Sequence, residues 1–234
     1  MALSQPIYFL KRRARRMSRA EGIPLHEALD RVAREEGFRH WGTLAGQCSS
    51  PSDQPSLLRE LAWGDLLLIG GRPGQGKTMA SFHLAIEALR QGRDVVVFTL
   101  EYTQEQVERH LRKLGADLTR LAGHLRIDTS DDISAPYVAR HLASARPGTV
   151  VVIDYLQLLD QRRENPPLAE QIAALRTVAR DRSLIIGCLA QVDRAFEATG
   201  RKIPGIQDVR LPNPVDLSLF TKVCFVHDQR VSFQ

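Results

Sequence analysis

An eight-residue segment between an apolar run and a stretch of helical periodicity constrains this 234-residue chain more than any other feature. It reads Gly71, Arg72, Pro73, Gly74, Gln75, Gly76, Lys77 and Thr78, which satisfies the pattern G-x-x-x-x-G-K-[ST]. Glycines let backbone N–H groups curl around phosphate oxygens without Cβ clashes, and the helix that follows directs its partly positive N-terminus at the same anion. The segment therefore predicts a phosphate-binding loop between a strand and a helix.

Two residues of this loop have specific expected roles. We expect the Lys77 ammonium group to reach the β- and γ-phosphates of ATP, and the Thr78 hydroxyl group to ligate Mg²⁺. A glycine-rich turn followed by a surface lysine would show the same letters. The apolar run Leu66–Ile69 before the loop and the helical pattern after it favour the nucleotide site, because such a site requires that context.

Short apolar runs alternate with amphipathic segments from residue 57 onward. The predicted strands are Leu66–Ile69, Asp94–Leu100, Leu125–Ile127, Val150–Ile153, Leu184–Leu189, Lys222–His227 and Arg230–Phe233. The predicted helices lie near 78–91, 103–115, 135–145 and 168–181. This alternation predicts an α/β domain over residues 57–234, with a mostly parallel central sheet flanked by helices. We expect the strand over Asp94–Leu100 to be the neighbour of the first strand.

Polar residues end three of the predicted strands. Asp154 follows a run of valine and isoleucine, and we expect it to hold Mg²⁺ through the water shell of the ion. Glu101 is expected to polarise the attacking water as a general base, and Gln191 is expected to contact the γ-phosphate. Because ligands of open α/β sheets bind at the carboxyl ends of the strands, these side chains are predicted to converge on Lys77, with Glu101, Lys77 and Gln191 as catalytic residues.

The first 47 residues differ in composition from the remainder. They carry nine Lys and Arg residues against five Asp and Glu, and so contain most of the net charge of +5. Helical spacing predicts a small, basic, all-helical module over residues 1–47. A Ser- and Pro-rich linker over residues 48–56 is predicted to join it to the α/β domain.

Four arginines of this module recur at the spacing i, i+3, i+4 and i+7. They are Arg12, Arg15, Arg16 and Arg19. A helix would place them on one face, which suits a nucleic-acid backbone. The same face also suits an acidic partner protein or plain solvent, and the spacing alone leaves all three interpretations open.

The overall composition is that of a folded globular protein, with 43% hydrophobic and 25% charged residues. Three cysteines, Cys48, Cys188 and Cys224, are too few and too scattered for a disulfide framework, which fits a reducing compartment. No apolar run approaches the length of about 18 residues that a membrane span needs. We therefore expect a cytoplasmic protein that is not embedded in a membrane.

Four segments together resemble the RecA-like ATPase domain of DnaB-type replicative helicases, a group of P-loop NTPases. They are Gly71–Thr78, Thr99–Glu101, Ile153–Leu158 and Ala190–Arg194, in this order, and Ile153–Leu158 is the most specific of them. The resemblance implies the same roles for Lys77, Thr78, Glu101, Asp154 and Gln191 that the residues suggest by themselves.

The resemblance also implies partners. It implies single-stranded DNA as a ligand and a homo-oligomer, a hexamer in the family, with DNA-facing loops that correspond here to 160–170 and 193–210. The basic residues expected on these loops to contact DNA are Arg162, Arg163, Arg194, Arg201 and Lys202. Loops rich in arginine are also often only solvated. In the family a late strand carries basic residues that reach the neighbouring subunit's ATP site. This chain has no clear equivalent of them, and Lys222 and Arg230 are the nearby candidates.

Three functions therefore stay open on the sequence. The first is an Mg²⁺-dependent ATPase coupled to DNA, as in a helicase. The second is an ATP-gated DNA-binding switch or loader that does not unwind duplex. The third is a nucleic-acid-binding scaffold whose nucleotide site is vestigial, although such a site would have no need of both Glu101 and Asp154.

Overall fold

A computed structural model describes residue 4 and residues 7–48, 56–160, 164–201, 203–211, 215–227 and 230–234. The chain divides into two compact units, Met1–Pro55 with Asp228–Arg230, and Ser56–His227 with Val231–Gln234. Residues 49–55 of the predicted linker lie outside the described part, so the predicted domain boundaries stay predictions. None of the described helices combines the length and apolar character that crossing a membrane requires.

The N-terminal unit is helical, as predicted. Its helices are α1 (Ile7–Glu21), α2 (Leu25–Glu35) and α3 (Trp41–Cys48). α1 and α2 pack through small and branched apolar side chains, and Leu44 of α3 completes this core. The fully buried members are Leu10, Ala14, Ala28, Val32, Ala33 and Leu44. Pro24 precedes α2, where its fixed φ suits the start of a helix.

The larger unit is built on one sheet of the seven strands that the described residues contain. They are β1 (Leu66–Gly71), β2 (Val95–Thr99), β3 (Leu125–Asp128), β4 (Val150–Asp154), β5 (Ile185–Gln191), β6 (Lys222–His227) and β7 (Arg230–Phe233). Their order across the sheet is β3-β2-β4-β5-β1-β6-β7. The pairings among β1 to β6 are parallel, so the predicted mostly parallel sheet is confirmed.

Within the described ranges four α-helices connect these strands, namely α4 (Lys77–Arg90), α5 (Gln104–Lys113), α6 (Ala135–His141) and α7 (Leu168–Asp181). Thr103 begins α5 through a capping box with Gln106, and the Ser134 hydroxyl group accepts the Tyr137 N–H at the start of α6. α6 ends four residues earlier than the predicted 145. The carbonyl oxygens of His141 and Leu142 accept hydrogen bonds from the Arg126 and Arg182 side chains, so these side chains satisfy the end of the helix at this point.

The sheet is buried on both faces. Leu66 and Leu68 of β1 point into a core that includes Ile172 and Leu175 of α7. Leu67 and Ile69 point into a second core with Leu84, Ala85 and other residues of α4. This arrangement explains why the strands are continuous apolar runs rather than alternating ones.

One prediction about the sheet is wrong. β2 lies between β3 and β4, and the neighbours of β1 are β5 and β6. Sequential strands are neighbours only as a tendency, and in an open parallel sheet the chain reverses direction at a switch point. As a consequence β4 and β5, with Asp154 and Gln191 at their ends, lie between the phosphate loop and Glu101.

Candidate nucleotide site

The predicted phosphate loop connects the end of β1 to the first residue of α4. Gly74 and Gly76 have φ values of 79° and 102°, a region that favours glycine. At Gly71 a Cβ atom would lie 2.7 Å from the Val226 carbonyl oxygen of β6 and 3.0 Å from Cγ of Lys77. The glycines therefore permit both the turn and the close packing of Lys77 on the strand.

Lys77 is the first residue of α4, and its Nζ donates a hydrogen bond to the Arg72 carbonyl oxygen at 3.3 Å. Its side chain folds back over the loop as a result. Burial lowers the pKa of Lys77, while the nearby carboxylates of Asp154 and Glu101 raise it. Because burial outweighs the two carboxylates, the ammonium group is incompletely compensated, and an anionic ligand such as a phosphate would favour its charged form.

Asp154 ends β4 and is only 3% exposed. Its Oδ2 is buried and has no hydrogen-bond partner among the described residues. Burial first and the Glu101 carboxylate second raise the pKa of Asp154 to about 7, and the Thr78 hydroxyl and Lys77 act in the opposite direction. Burial and the Glu101 charge therefore outweigh the Lys77 charge, and the Asp154 carboxylate is only partly compensated.

These residues fit a magnesium ion. Mg²⁺ prefers hard oxygen ligands and is usually held by one or two carboxylates together with substrate phosphates. Thr78 and Asp154 supply a hydroxyl and a carboxylate beside the phosphate loop, and the unpartnered Oδ2 is a buried oxygen that such a cation would compensate. Among the described residues no group of three His, Cys, Asp or Glu side chains forms a separate metal site.

Glu101 lies two residues beyond the end of β2, and its side chain is exposed. The Thr99 hydroxyl group accepts the Glu101 backbone N–H at 3.2 Å, which fixes the turn after the strand. The charge of Glu101 raises the pKa values of both Lys77 and Asp154. Glu101 is thus close enough to act on both residues electrostatically while it remains accessible to solvent.

Gln191 ends β5 and lies opposite Gly71 in the parallel register of β1 and β5. Its side chain is half-buried. The backbone continues the pairing, because the Val192 N–H donates to the Gly71 carbonyl oxygen at 3.1 Å. Gln191 is therefore directly beside the first residue of the phosphate loop.

Comparison with known proteins agrees with this geometry. Residues 57–180 match the family described as "ATPase: KaiC". The chain belongs to the KaiC ATPase family. It is also similar to the replicative DNA helicase DnaB of Helicobacter pylori, with 28% identity over 71% of this chain and 41% of the relative. A second relative, DnaB of Synechocystis sp., is 29% identical over 80% of this chain and 25% of its own length. The chain thus spans about two fifths of the length of the first of these curated relatives and a quarter of the second.

Solved structures show the same fold. A DnaB-like replicative helicase, described with its interactions with primase, superposes with a TM-score of 0.59 and 21% identity over 93% of this chain and 65% of that one. A KaiC-like protein from Pyrococcus horikoshii OT3 gives a TM-score of 0.55 and 20% identity over 74% of this chain and 78% of its own. The predicted fold class and the predicted relationship to the RecA-like P-loop ATPase domain of DnaB-type helicases are confirmed.

In this KaiC-family chain the loop after Gln191 is held at both ends. Val192 forms an antiparallel bridge with Val209, and the Arg210 N–H donates to the Gln191 carbonyl oxygen at 2.7 Å. The Gln157 side chain, which follows β4, donates to the Arg210 carbonyl oxygen at 2.7 Å. The ends of the loop are therefore fixed to the same sheet edge as the phosphate site.

Arg72 connects the phosphate loop to this segment. Its Nη1 donates to the Val192 carbonyl oxygen at 3.1 Å, and its Nε donates to a Glu197 carboxylate oxygen at 3.1 Å. Glu197 lies in a 3₁₀ helix over Arg194–Thr199. Arg72 was predicted as a phosphate-loop residue, and the structure places its guanidinium group against the loop after β5.

The predicted DNA-facing arginines differ in their surroundings. Arg194 is exposed at the start of the 3₁₀ helix. Arg201 donates to Asp208 at 2.6 Å and lies 5.4 Å from the ring centroid of Phe196, so its guanidinium group already has partners. Arg162, Arg163 and Lys202 lie outside the described residues.

The two candidates for a basic residue that reaches a neighbouring subunit lie at different places. Lys222 begins β6 and pairs in register with Leu67, near the start of β1, so it is at the opposite edge from the phosphate loop. Arg230 begins β7 and is exposed. The position of Lys222 at the opposite edge therefore argues against it and leaves Arg230 as the remaining candidate.

Sequence reasoning missed one residue of the site. The Tyr102 hydroxyl group lies near the Thr78 side chain, and burial followed by the charges of Asp154 and Glu101 raises the pKa of Tyr102. Its ring makes edge contacts with Phe82 of α4 and His110 of α5. The position directly after Glu101 was the available signal, but no motif marked the contact with Thr78.

Proposed function

We propose that this chain is an Mg²⁺-dependent ATPase whose turnover is coupled to DNA, in the manner of a DnaB-like helicase. The observation that carries the proposal is the convergence of four strand ends on one edge of the sheet. Lys77 and Thr78 follow β1, Glu101 follows β2, and Asp154 and Gln191 end β4 and β5. A P-loop site needs these chemical groups around a γ-phosphate.

Each residue has a role that its surroundings support. Lys77 binds the β- and γ-phosphates, and Thr78 with Asp154 holds the metal. Glu101 is accessible to solvent and orients the attacking water, and Gln191 contacts the γ-phosphate from the adjacent strand. When bound, Mg²⁺ neutralises charge on the phosphates. Tyr102 lies near the Thr78 hydroxyl group and the two carboxylates.

DNA as the second ligand is supported by the relatives, which are named replicative DNA helicases. The segment 193–210 supports it structurally, because Arg72 and Gln191 connect that segment to the phosphate loop. Loss of the γ-phosphate would remove a contact of the Gln191 side chain. The change would reach the segment 193–210 because the Gln191 carbonyl oxygen accepts the Arg210 N–H. The assembly that we propose is a homo-oligomer, a hexamer by resemblance to the family.

ATP turnover with and without single-stranded DNA tests the proposal in the parent and in Lys77→Ala. We expect Lys77→Ala to lower turnover by about a hundredfold or more, because it removes a charge that stabilises the transition state. Lys113→Ala, which removes an exposed lysine from the last turn of α5, is the matched control and should leave turnover unchanged. Equal turnover in the parent and Lys77→Ala would end the enzymatic interpretation.

Two other outcomes point to the alternatives. DNA-stimulated hydrolysis without strand displacement on a forked duplex favours an ATP-gated switch or loader. Binding of ATP without turnover in the parent favours a scaffold with a vestigial site. Strand displacement that depends on Lys77 supports the helicase.

A further inference from the structure

The outer side of α1 carries a row of arginines. Arg12, Arg15, Arg16 and Arg19 are all exposed, whereas Leu10 and Ala14 on the same helix are fully buried. At 3.6 residues per turn, the four arginines share one face and the two buried residues lie on the opposite face. From Arg12 to Arg19 this outer face therefore presents arginine side chains alone.

These four arginines are not neutralised within their unit. Every acidic residue of the first 47 residues already has a partner there: Glu21 and Glu27 pair with Arg31, Asp30 with His40 and Trp41, Glu35 with Arg13, and Glu36 with Ser4. The four arginines of the outer face form no ion pair with any residue that the structure describes. The acidic side chains of the unit are thus all paired elsewhere, and the positive charges of the outer face have no acidic partner among the described residues.

The chemistry of the face indicates its partner. A helix that binds a membrane surface exposes an apolar side, but the apolar side of α1 packs on α2. Protein interfaces have an apolar or aromatic centre, and the outer face has none between Arg12 and Arg19. A row of guanidinium groups over about 10 Å of helix matches a phosphate backbone, because one strand of B-form DNA presents a charge about every 3.4 Å along its axis.

We propose that the outer face of α1 is a binding site for the DNA phosphate backbone that requires no nucleotide. It is distinct from the segment 193–210, and it rests on the proposed function only in the choice of DNA. Since it contacts phosphates and not base edges, it binds without sequence preference. Duplex is bound at least as tightly as single strands, because its charge density is higher.

Fluorescence anisotropy with labelled duplex and single-stranded oligonucleotides tests this site on the full chain without ATP, between about 50 and 200 mM salt. The test variant changes Arg12→Ala, Arg15→Ala, Arg16→Ala and Arg19→Ala together. We expect the slope of log affinity against log salt to fall in magnitude by about 3, because each duplex phosphate contact contributes roughly 0.9. Affinity at the lowest salt falls by about tenfold or more. Alanine is a strong helix former, so α1 is preserved, and circular dichroism verifies it.

Three controls isolate the face. Replacing the same four residues by lysine keeps the charge and should keep most of the slope. A variant with equal loss of formal charge removes arginines that already face a carboxylate, namely Arg13, Arg112, Arg120 and Arg180. It should bind DNA like the parent. A third variant, Arg34→Ala with Arg39→Ala, removes the arginines of a cleft of about 400 Å³ in the same unit and should also retain the slope.

The outcomes separate this proposal from the proposed function. An unchanged slope in the α1 alanine variant overturns the site even if ATP turnover is normal. If the salt dependence of DNA binding is lost in the Arg34/Arg39 variant instead, the site is also overturned. The same holds if the protein binds RNA but not DNA. A parent that lacks ATP turnover but binds DNA through α1 removes the proposed function and supports the site. Lys77→Ala should bind DNA without nucleotide as the parent does.

Discussion

At the residue scale, the state of Asp154 is the most informative feature of the site. Its carboxyl group is buried beside Glu101, with one oxygen unpartnered among the described residues. In the protein without bound ligands, ionisation of this carboxyl group is therefore unfavourable at the point where a cation is expected. The site is destabilising by itself, and binding of its ligands would remove that cost.

This arrangement predicts a pH dependence of stability. The pKa of Asp154 rises from the ordinary value of 3.8 to about 7, so between these values the folded protein retains a proton that the unfolded chain releases. The contribution of Asp154 to the free energy of unfolding must therefore fall as pH rises from about 4 to 7. Asp154→Asn removes this term, and we expect the variant to become more stable than the parent by a few kcal/mol as pH rises through that window.

Urea unfolding of both proteins between pH 5 and pH 8, without nucleotide or Mg²⁺, measures this difference. A constant offset between the two proteins across the range would contradict the prediction. As a control, Mg²⁺ with a non-hydrolysable ATP analogue should stabilise the parent far more than Asp154→Asn, because only the parent retains the metal-binding carboxylate.

The local residues of the site were predictable, and their long-range contacts were not. The spacing of Gly71–Thr78 and the acid after a valine run are local signals, and the structure brings Lys77, Asp154, Glu101 and Gln191 to one edge of the sheet. The pairing of Arg72 with Glu197 joins residues 125 positions apart. No periodicity encodes such a contact, because it depends on how a loop folds back on the sheet.

At the scale of elements, the 3₁₀ helix Arg194–Thr199 is tied to the phosphate loop by the Arg72–Glu197 pair. The Glu197 side chain is 67% exposed and that of Arg72 is 16% exposed. An ion pair with an exposed partner contributes only about 0–1 kcal/mol to stability. The pair is better explained as a connection between two elements than as a stabilising contact.

We therefore expect Glu197→Gln to weaken communication and leave the fold intact. Stimulation of ATP turnover by DNA should fall by about two- to tenfold, the range that a residue along a coupling path produces. Turnover without DNA should stay at the parent level, because Arg72 keeps its bond to the Val192 carbonyl oxygen. Steady-state turnover over a series of DNA concentrations measures both quantities.

Glu105→Gln, at an exposed carboxylate in the first turn of α5, is the matched control for this charge change. It should be stimulated by DNA like the parent. Equal stimulation in Glu197→Gln and the control would show that the Arg72–Glu197 pair carries no coupling.

At the scale of the whole molecule, the kinds and bounds of the elements were predictable, whereas the order of the strands was not. Apolar runs mark each strand to within about two residues, since burial on both faces requires them. Strand order depends on where each crossover returns, and the chain passes from β1 to β2 before β4 and β5 fill the places between them. This insertion brings Asp154 and Gln191 beside the phosphate loop.

The charges around the loop make a prediction about assembly. Among the described arginines, Arg72 is the one whose charge acts on Lys77, and its guanidinium group is already bound by Glu197 and Val192. An arginine supplied by a neighbouring subunit accelerates phosphoryl transfer by about 10³–10⁵ in P-loop enzymes. If a second copy supplies it, turnover per chain must depend on assembly.

We therefore expect specific ATP turnover to rise with protein concentration, over the same range in which light scattering shows the mass rising above 26.2 kDa in the presence of Mg²⁺ and an ATP analogue. Arg230→Ala should lower turnover without lowering the mass if Arg230 is the residue supplied, since Lys222 lies at the opposite edge of the sheet. A monomer whose specific turnover is constant across that range would contradict the prediction, because all catalytic groups would then have to come from one chain.

If the protein is an oligomer at every concentration, turnover is constant for that reason, and a mixing experiment tests the prediction instead. Inactive Lys77→Ala subunits are mixed with Arg230→Ala subunits. Activity should be restored, because the Lys77→Ala subunits supply the missing arginine to the intact phosphate loops of the Arg230→Ala subunits.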